Sequence, residues 1–264
     1  MPVHTAPMQP LTVALWQTPY ADPTSPVPSP QAMAQTLERL DAAAAQASAA
    51  GAHLLVTPEM VLTGYHRDPD WLRTVAQPAD GPWAQAVAGI ARRHGLALVY
   101  GYPQAAPGGQ RPYNAAQAIG PDGVALANYR KVRLFGEVDA ARFSAGPSGP
   151  CTFKQLGWCL GLLICYDVEW AASVQALAEA GADAVLVPTA NMPEFDDVQR
   201  ELLPRYAAEQ RVHLLYANAC GAETGLSPGL TYGGWSTVVD PQGQVLARAG
   251  RGDEMLLVTL SPHR

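Results

Sequence analysis

The stretch from Gly161 to Trp170, GLLICYDVEW, places a cysteine where an apolar segment gives way to polar residues. The apolar run Trp158 to Ile164 predicts a buried strand that ends at Cys165, and a helix is predicted to begin near Ala171. A cysteine at such a turn is suited to nucleophilic attack, because the backbone N–H groups of the turn and the helix N-terminus favour the thiolate. A buried cysteine that only fills the core is the simpler interpretation, so other residues must support the chemical one.

Two further polar residues also follow predicted strands. Glu59 comes after LLVTP and Lys131 after VALANYR, and open α/β sheets place their sites at the ends of strands. Taken singly, Glu59 could cap the following turn, and Lys131 could belong to a solvated basic cluster with Arg130 and Arg133. Together with Cys165, however, they form the set that one particular chemistry requires.

That chemistry is the attack of a cysteine on an amide. A carboxylate such as Glu59 can take the thiol proton and return it to the leaving nitrogen. Lys131 and the backbone N–H of Tyr166 can stabilise the negative charge that develops on the carbonyl oxygen. Glu137, in the segment KVRLFGE, could hold the Lys131 ammonium group in place or be a surface acid.

Competing motifs are poorly supported. Gly225 to Gly229 matches the letters GxSxG, but Pro228 follows the serine and has no backbone N–H to offer as an oxyanion donor. Neither GxGxxG nor HExxH occurs in the sequence. A Cys–His pair that uses His213 remains an alternative.

Composition limits the class of protein. The chain has 264 residues, of which 48% are hydrophobic and 15% charged, and we expect one globular domain over residues 1–264. The net charge of −6 argues against nucleic acid or an anionic membrane as a partner. Because no apolar segment is long enough to cross a membrane and the N-terminus lacks signal-peptide features, we expect a cytoplasmic protein with reduced cysteines and no metal site.

The remaining elements alternate between strands and helices. Helices are predicted over Gln31–Ala50, Pro82–His94, Ala171–Gly181 and Asp196–Arg211, and residues 66–80 are predicted to form a loop. Strands are predicted over Leu11–Trp16, Leu54–Thr57, Leu96–Gly101, Ala115–Ile119, Val124–Tyr129, Ala184–Val187, His213–Ala219, Trp235–Val239, Gln244–Ala249 and Met255–Leu260. This order favours an α/β fold with mixed sheets.

Three segments together resemble a known superfamily. PEMVLTGY around Glu59, NYRKVRLFGE around Lys131 and GLLICYDVEW around Cys165 are similar to the motifs of the nitrilase, or carbon–nitrogen hydrolase, superfamily, in the expected order Glu, Lys, Glu, Cys. The segments VYGYP, VPTANM and YANACGAE are most similar to the branch that contains bacterial 5-aminopentanamidases and R-stereoselective amidases.

The resemblance implies a fold and an activity. It implies a four-layer α-β-β-α sandwich of two mixed sheets that forms a homodimer through its α faces. It also implies hydrolysis of small, amino-bearing carboxamides to a carboxylic acid and ammonia through a cysteine thioester, without a cofactor. Glu59, Lys131, Glu137 and Cys165 are the expected catalytic residues. The residues expected to bind the substrate are Tyr65, Tyr166, Glu169 and Asn191.

Other functions stay open at this level. Within the superfamily, the alternatives are hydrolysis of N-carbamoyl amines or a deaminated-glutathione type of amidase activity. A non-catalytic binding protein with a vestigial site is the alternative from a different class. Glu169 suits a substrate ammonium group by charge, although an acid in the first turn of a helix is also favourable in its own right.

Two departures from the family pattern affect these expectations. The cysteine turn continues with Trp170-Ala171-Ala172 where the family commonly has Phe-Pro-Glu, which bears on local packing and on the dimer contact. The sequence also ends at Arg264, directly after the last predicted strand. Both features lead us to expect a homodimer that is weakened or altered.

Overall fold

A computed structural model describes residues 8–262. The strands are β1 (Leu11–Gln17), β2 (Leu54–Val56), β3 (Ala97–Gln104), β4 (Tyr113–Ile119), β5 (Ala125–Arg130), β6 (Thr152–Gln155), β7 (Trp158–Leu162), β8 (Ala184–Thr189), β9 (His213–Asn218), β10 (Cys220–Glu223), β11 (Leu230–Gly233), β12 (Thr237–Val239), β13 (Val245–Arg248) and β14 (Glu254–Leu260). The α-helices are α1 (Pro30–Ala49), α2 (Pro69–Val75), α3 (Pro82–His94), α4 (Gly136–Arg142), α5 (Ala171–Glu179) and α6 (Leu203–Gln210).

Twelve of these strands form two six-stranded mixed sheets with the orders β14-β1-β2-β3-β4-β5 and β13-β12-β9-β8-β7-β6. In each sheet three neighbouring central strands are parallel, β1-β2-β3 in one and β7-β8-β9 in the other. The outer strands pair antiparallel with their neighbours: β14 with β1, β12 with β9, and the others through hairpins. A short hairpin of β10 and β11 lies outside both sheets.

The two sheets pack face to face. Residues from both inner faces, such as Val13 and Val56 from the first sheet and Leu186 and Leu215 from the second, belong to one buried cluster. A second cluster joins the outer face of the first sheet to α1 and α3, for example through Leu40. Buried side chains of α5 and α6 join the second sheet in the same way. The prediction of a four-layer α-β-β-α sandwich is confirmed.

The structure differs from the sequence-based prediction in several connections. Residues 66–80 contain the short helix α2, which begins at Pro69 after Asp68 accepts a hydrogen bond from the backbone N–H of Trp71 at 2.8 Å. The sequence analysis did not predict helix α4 or strand β6. Strand β6 turns into β7 through Leu156 and Gly157, which both have positive φ, as a two-residue hairpin loop requires.

Within residues 8–262, no helix is both long and apolar enough to cross a membrane.

Candidate active site

The predicted site residues lie at one edge of the sandwich. Glu59 follows β2 and Lys131 follows β5, and these strands run in the same direction because two antiparallel pairings lie between β3 and β5. Cys165 follows β7 in the facing sheet. The two sheets meet at this edge, where the backbone N–H of Glu59 donates to the carbonyl oxygen of Thr189 at 3.3 Å.

A glycine allows the backbone around Glu59 to take its position. A Cβ atom on Gly101, in β3, would lie 2.3 Å from the backbone nitrogen of Met60 and 3.0 Å from Cα of Glu59. Met60 itself has a φ of 53°, in the left-handed region. Any side chain at position 101 would therefore displace the segment that carries Glu59.

Lys131 is the centre of a buried charge network. Its Nζ lies 2.8 Å from Oε1 of Glu59 and 2.7 Å from Oδ2 of Asp139, and all three side chains are fully buried. Burial lowers the pKa of Lys131, but the charges of Asp139 and Glu59 outweigh this effect and raise it well above its ordinary value. The ammonium form of Lys131 is therefore held at this edge of the sandwich.

The prediction that Glu137 pairs with Lys131 is wrong. Glu137 is exposed, and Asp139 occupies the position next to the ammonium group. Both acids lie in the first turn of α4 but on different faces of the helix. Asp139 shares the inward face with Phe143, which is fully buried one turn later, so this pattern is the sequence signal that could have identified it.

Glu59 keeps one oxygen available. Its Oε1 accepts hydrogen bonds from Lys131 and, at 2.6 Å, from Nδ2 of Asn114. Its Oε2 is buried and has no hydrogen-bond partner among residues 8–262. Burial raises the pKa of Glu59, Lys131 lowers it and Asp139 raises it, with a net rise. A buried carboxylate with a raised pKa and one unpartnered oxygen is suited to receive a proton and give it back.

Cys165 occupies a strained turn. Its φ is 45°, it is 8% exposed, and it begins a single 3₁₀ turn that runs from Cys165 to Glu169. Burial and the negative charge of Glu59 raise the pKa of the thiol well above its ordinary value, whereas Lys131 and the backbone N–H of Ala190 act in the opposite direction. The resting group is therefore a thiol, and a base must remove its proton before it can attack.

A narrow pocket opens onto Cys165. Its walls are formed by Tyr65, Phe135, Cys165, Glu169, Ala190, Asn191 and Met192. The pocket is too narrow for a drug-sized ligand, so it suits a small substrate.

The structure brings Tyr65, Glu169 and Asn191 into the pocket wall, as expected for binding residues. The ring of Tyr65 lies 5.6 Å from Nζ of Lys131. Asn191 is held from both sides, because its backbone N–H donates to Oδ1 of Asn218 at 2.7 Å and its Nδ2 donates to the carbonyl oxygen of Phe195 at 3.1 Å. The amide group of Asn191 therefore has little freedom to turn.

Tyr166 lies outside this wall, so the expectation that its side chain binds substrate is not supported by its position. Its half-buried ring packs edge-on against Phe135 and Trp170, with centroids 5.5 and 6.2 Å apart. It follows Cys165 directly, so its backbone N–H retains the predicted place beside the nucleophile. The aromatic lining comes instead from Phe135, which sequence reasoning did not single out.

Glu169 brings a second carboxylate to the pocket. Burial and the nearby charge of Asp197 raise the pKa of Glu169 to about 7, and Lys131 lowers it slightly. Among residues 8–262, no side chain forms an ion pair or hydrogen bond with this carboxylate. The pocket thus has a carboxylate at one end that forms no ion pair with any residue in the described range, although the charge of Lys131 acts on it from farther away.

The Cys–His alternative is excluded by distance along the sheet. His213 stands at the start of β9, opposite Ala184 at the start of β8, whereas Cys165 follows the carboxyl end of β7. The ring of His213 lies against Trp158, with centroids 5.7 Å apart, and does not line the pocket. In the part of the chain that the structure describes, no group of three or more His, Cys, Asp or Glu residues is arranged to hold a metal ion.

Comparison with known proteins identifies the family of this chain. The family model for carbon-nitrogen hydrolases matches residues 12–264. A Pseudomonas protegens protein named as a hydrolase in the pqqF 5′ region is 40% identical over 250 residues, which cover 95% of this chain and 82% of that protein. An (R)-stereoselective amidase of Pseudomonas sp. is 36% identical over 207 residues, covering 78% of this chain and 72% of that amidase.

Solved structures of an amidase from Nesterenkonia sp. AN1, of the nitrilase superfamily, have the same fold. One of them superposes with a TM-score of 0.82 and 37% identity, over 95% of this chain and 93% of that chain, and shows acrylamide added to the active-site cysteine of that amidase. Another, with a TM-score of 0.81 and 36% identity over 95% of this chain and 90% of that chain, is a cysteine-to-alanine variant in complex with butyramide. This chain matches the family over nearly its whole length, and it belongs to the carbon–nitrogen hydrolase family.

Proposed function

We propose that this protein is a cysteine amidase that hydrolyses small carboxamides to a carboxylic acid and ammonia. The observation that carries the proposal is the convergence of Glu59, Lys131 and Cys165 at one buried edge of the sandwich, beside a small pocket. The similar Nesterenkonia amidase, whose cysteine variant binds butyramide, supports this class of substrate.

In the first half-reaction, Glu59 acts as the base. Its carboxylate takes the proton of the Cys165 thiol, and the thiolate attacks the carbonyl carbon of the amide. The tetrahedral intermediate then collapses, the C–N bond breaks, and Glu59 returns the proton to the leaving nitrogen. The products of this step are ammonia and a thioester on Cys165.

The negative charge on the carbonyl oxygen needs positive partners during this step. The ammonium group of Lys131, fixed by Asp139, and the backbone N–H of Tyr166 are the groups we assign to this role. Because Lys131 is fully buried, its charge acts through a medium of low polarity and has a larger effect than it would in water.

In the second half-reaction, a water molecule takes the place of ammonia. Glu59 removes a proton from the water, and the resulting hydroxide attacks the thioester carbon. The C–S bond breaks, the sulfur of Cys165 recovers its proton from Glu59, and the carboxylic acid leaves. No residue outside the Glu59–Lys131–Cys165 set is required to transfer a proton.

We further propose that the preferred substrates carry an amino group. The unpaired carboxylate of Glu169 lies in the same small pocket as Cys165, where the ammonium group of a short amino-amide can reach it. Asp197 adds negative charge to the same end of the pocket. A substrate cation there would gain a charge-assisted hydrogen bond.

The test is ammonia release from a panel of amides by the purified protein. The panel contains butyramide, pentanamide, 5-aminopentanamide and N-carbamoyl-β-alanine, with the Cys165→Ala variant as the blank. Release from the simple amides that depends on Cys165 supports the proposal. Release only from the carbamoyl compound would favour the carbamoylase alternative. The amidase proposal would be contradicted if no member of the panel releases ammonia and none of them slows the reaction of Cys165 with a thiol reagent.

A further inference from the structure

Asp167 is fully buried in the turn that carries Cys165, and its side chain contacts the segment that carries Lys131. Its Oδ1 accepts a hydrogen bond from the backbone N–H of Arg133 at 2.8 Å. Its Oδ2 accepts two more, from the backbone N–H of Ile164 at 3.3 Å and from the hydroxyl group of Tyr129 at 3.1 Å. One carboxylate therefore joins the end of β5 to the turn after β7.

We propose that Asp167 is a positioning residue that fixes Lys131 relative to Cys165, through hydrogen bonds to the chain on both sides of the site. The proposal rests on the proposed amidase mechanism, because Lys131 and Cys165, the two residues that Asp167 would hold in place, are catalytic groups of that mechanism. Asp167 itself does not line the substrate pocket.

The contacts reach the immediate neighbours of both functional residues. Ile164 directly precedes Cys165 in the chain, and Arg133 lies two residues after Lys131. Tyr129 is the penultimate residue of β5, two residues before Lys131. A shift of Asp167 would therefore change the distance between the Lys131 ammonium group and the Cys165 sulfur without altering either side chain.

The backbone of Asp167 closes the same turn. Its N–H donates to the carbonyl oxygen of Ile164 at 3.0 Å, and its carbonyl oxygen accepts from the N–H of Trp170 at 3.4 Å. Cys165 is held within this turn at a φ of 45°, a conformation that persists only where surrounding contacts enforce it. Asp167 supplies several of those contacts.

The chemistry of the site requires a carboxylate and not an amide. Two backbone N–H groups approach different oxygens of Asp167, and neither can act as an acceptor. In an Asp167→Asn protein one of them must face the NH₂ group, whichever way the amide is turned. Tyr129 differs, because its hydroxyl group can rotate and accept. The substitution therefore releases one side of the link, either at Arg133 or at Ile164.

The experiment compares three variants for amide hydrolysis and for the rate at which Cys165 is alkylated by iodoacetamide as a function of pH. We expect Asp167→Asn to lower kcat on the order of 10–100-fold with a smaller effect on KM, since small misplacements of reacting groups have costs of that size. We also expect its alkylation profile to move to higher pH, because Lys131 lowers the pKa of the Cys165 thiol and would lie farther away.

Two matched controls separate positioning from general stability. Tyr129→Phe removes one hydrogen bond and leaves both backbone contacts, so we expect kcat within about threefold of wild type. Asp183→Asn changes another buried carboxylate, whose Oδ2 accepts from the backbone N–H of Cys159 at 2.8 Å away from the pocket. We expect it to lower the melting temperature and to leave the alkylation profile unchanged.

An Asp167→Asn protein with the kcat and alkylation profile of wild type, or an Asp183→Asn protein with the same changes, would overturn the proposal. If Asp167→Asn does not fold, amide hydrogen exchange of the wild-type protein decides. Slow exchange at Arg133 and Ile164 supports the link, and exchange at Arg133 as fast as at an exposed loop contradicts it. Alkylation of Cys165 needs no hydrolysis, so failure of this inference and failure of the amidase proposal give different results.

Discussion

The ammonium group of Lys131 lies 2.7 Å from Oδ2 of Asp139, and both side chains are fully buried. Oδ2 of Asp139 also accepts a hydrogen bond from the backbone N–H of Phe135 at 2.8 Å, which fixes the start of α4 beside the pocket. This pairing makes the Lys131 charge part of a network with carboxylates on both sides.

The pairing predicts a large effect for substitution of one acid in the first turn of α4 and a small effect for the other. Asp139→Asn leaves Lys131 with one charged partner, so we expect kcat/KM to fall at least about tenfold and the free energy of unfolding to drop by roughly 3 kcal/mol, the scale for a broken buried pair. Glu137→Gln is the matched control, because Glu137 is exposed. We expect it to change stability by less than about 0.5 kcal/mol. Steady-state kinetics and chemical denaturation measure both effects, and a larger loss in Glu137→Gln would restore the original assignment.

The base assignment predicts a difference between amides and activated esters. Glu59→Gln keeps the size of the side chain but removes its ability to take a proton, so we expect amide hydrolysis to fall by about 10²–10⁴-fold. An activated ester has a leaving group that needs no proton, so its initial burst loses only the part of the effect that comes from deprotonation of the Cys165 thiol and should fall less than amide hydrolysis does. Rapid-quench kinetics with a matched ester and amide make the comparison. Equal losses on both substrates would contradict the assignment of Glu59 as the donor of a proton to the leaving nitrogen.

Gly101 predicts a backbone effect on the same carboxylate. Gly101→Ala places a Cβ atom 2.3 Å from the backbone nitrogen of Met60, so we expect a loss of about 1–3 kcal/mol in stability and a fall in kcat as Glu59 is displaced. Gly89→Ala is the control, because nothing lies within 4 Å of its Cβ position in α3. We expect that change to be neutral or slightly stabilising. Thermal unfolding and ammonia release report the two effects. A Gly101→Ala protein with wild-type stability and kcat would show that the segment carrying Glu59 can shift without loss of either.

Glu169 predicts a preference that depends on pH. The pKa of Glu169 is raised to about 7, so its carboxylate becomes ionised, and able to bind an ammonium group, as the pH rises through that value. The ratio of kcat/KM for 5-aminopentanamide to that for pentanamide should therefore increase between pH 6 and 8, values chosen on either side of the pKa. Glu169→Gln should abolish this increase. It should also reduce the ratio by a factor equivalent to about 2 kcal/mol of transition-state binding, the scale for a charge that loses its partner.

The neutral amide serves as the internal control in that comparison. Pentanamide reports any general effect of the substitution or of pH on the chemistry of Cys165. A ratio that does not change with pH, or equal losses on the two amides, would contradict binding of the substrate ammonium group by Glu169. Glu169 would then be only a favourable acid in the turn before α5.

The main elements of the site could be predicted because their signals are local. The apolar run before Cys165 and the polar residues after it mark a strand that ends in a turn, and helix α3 was predicted with its observed bounds, Pro82–His94, from a proline at its start and Gly95 after its end. Local patterns of this kind survive in the folded protein whenever packing agrees with them.

The partners of the site residues could not be predicted so directly. Whether Glu137 or Asp139 meets Lys131 depends on how α4 lies against the sandwich, which is a tertiary property. The contacts of Asp167 could not be predicted for the same reason, because its backbone donors lie in segments that follow strands of two different sheets. Helix α2 had a local signal in Asp68-Pro69, but a seven-residue helix is too short for periodicity to reveal it.

The most direct test of the account is ammonia release from butyramide by wild-type protein and by Cys165→Ala, with Cys220→Ala as a matched control for the loss of a buried thiol. We predict that Cys165→Ala lowers kcat/KM by at least about 10³-fold while its circular dichroism and melting curve remain those of a folded protein, and that Cys220→Ala keeps near-normal turnover. A folded Cys165→Ala protein that releases ammonia at close to the wild-type rate would contradict the mechanism.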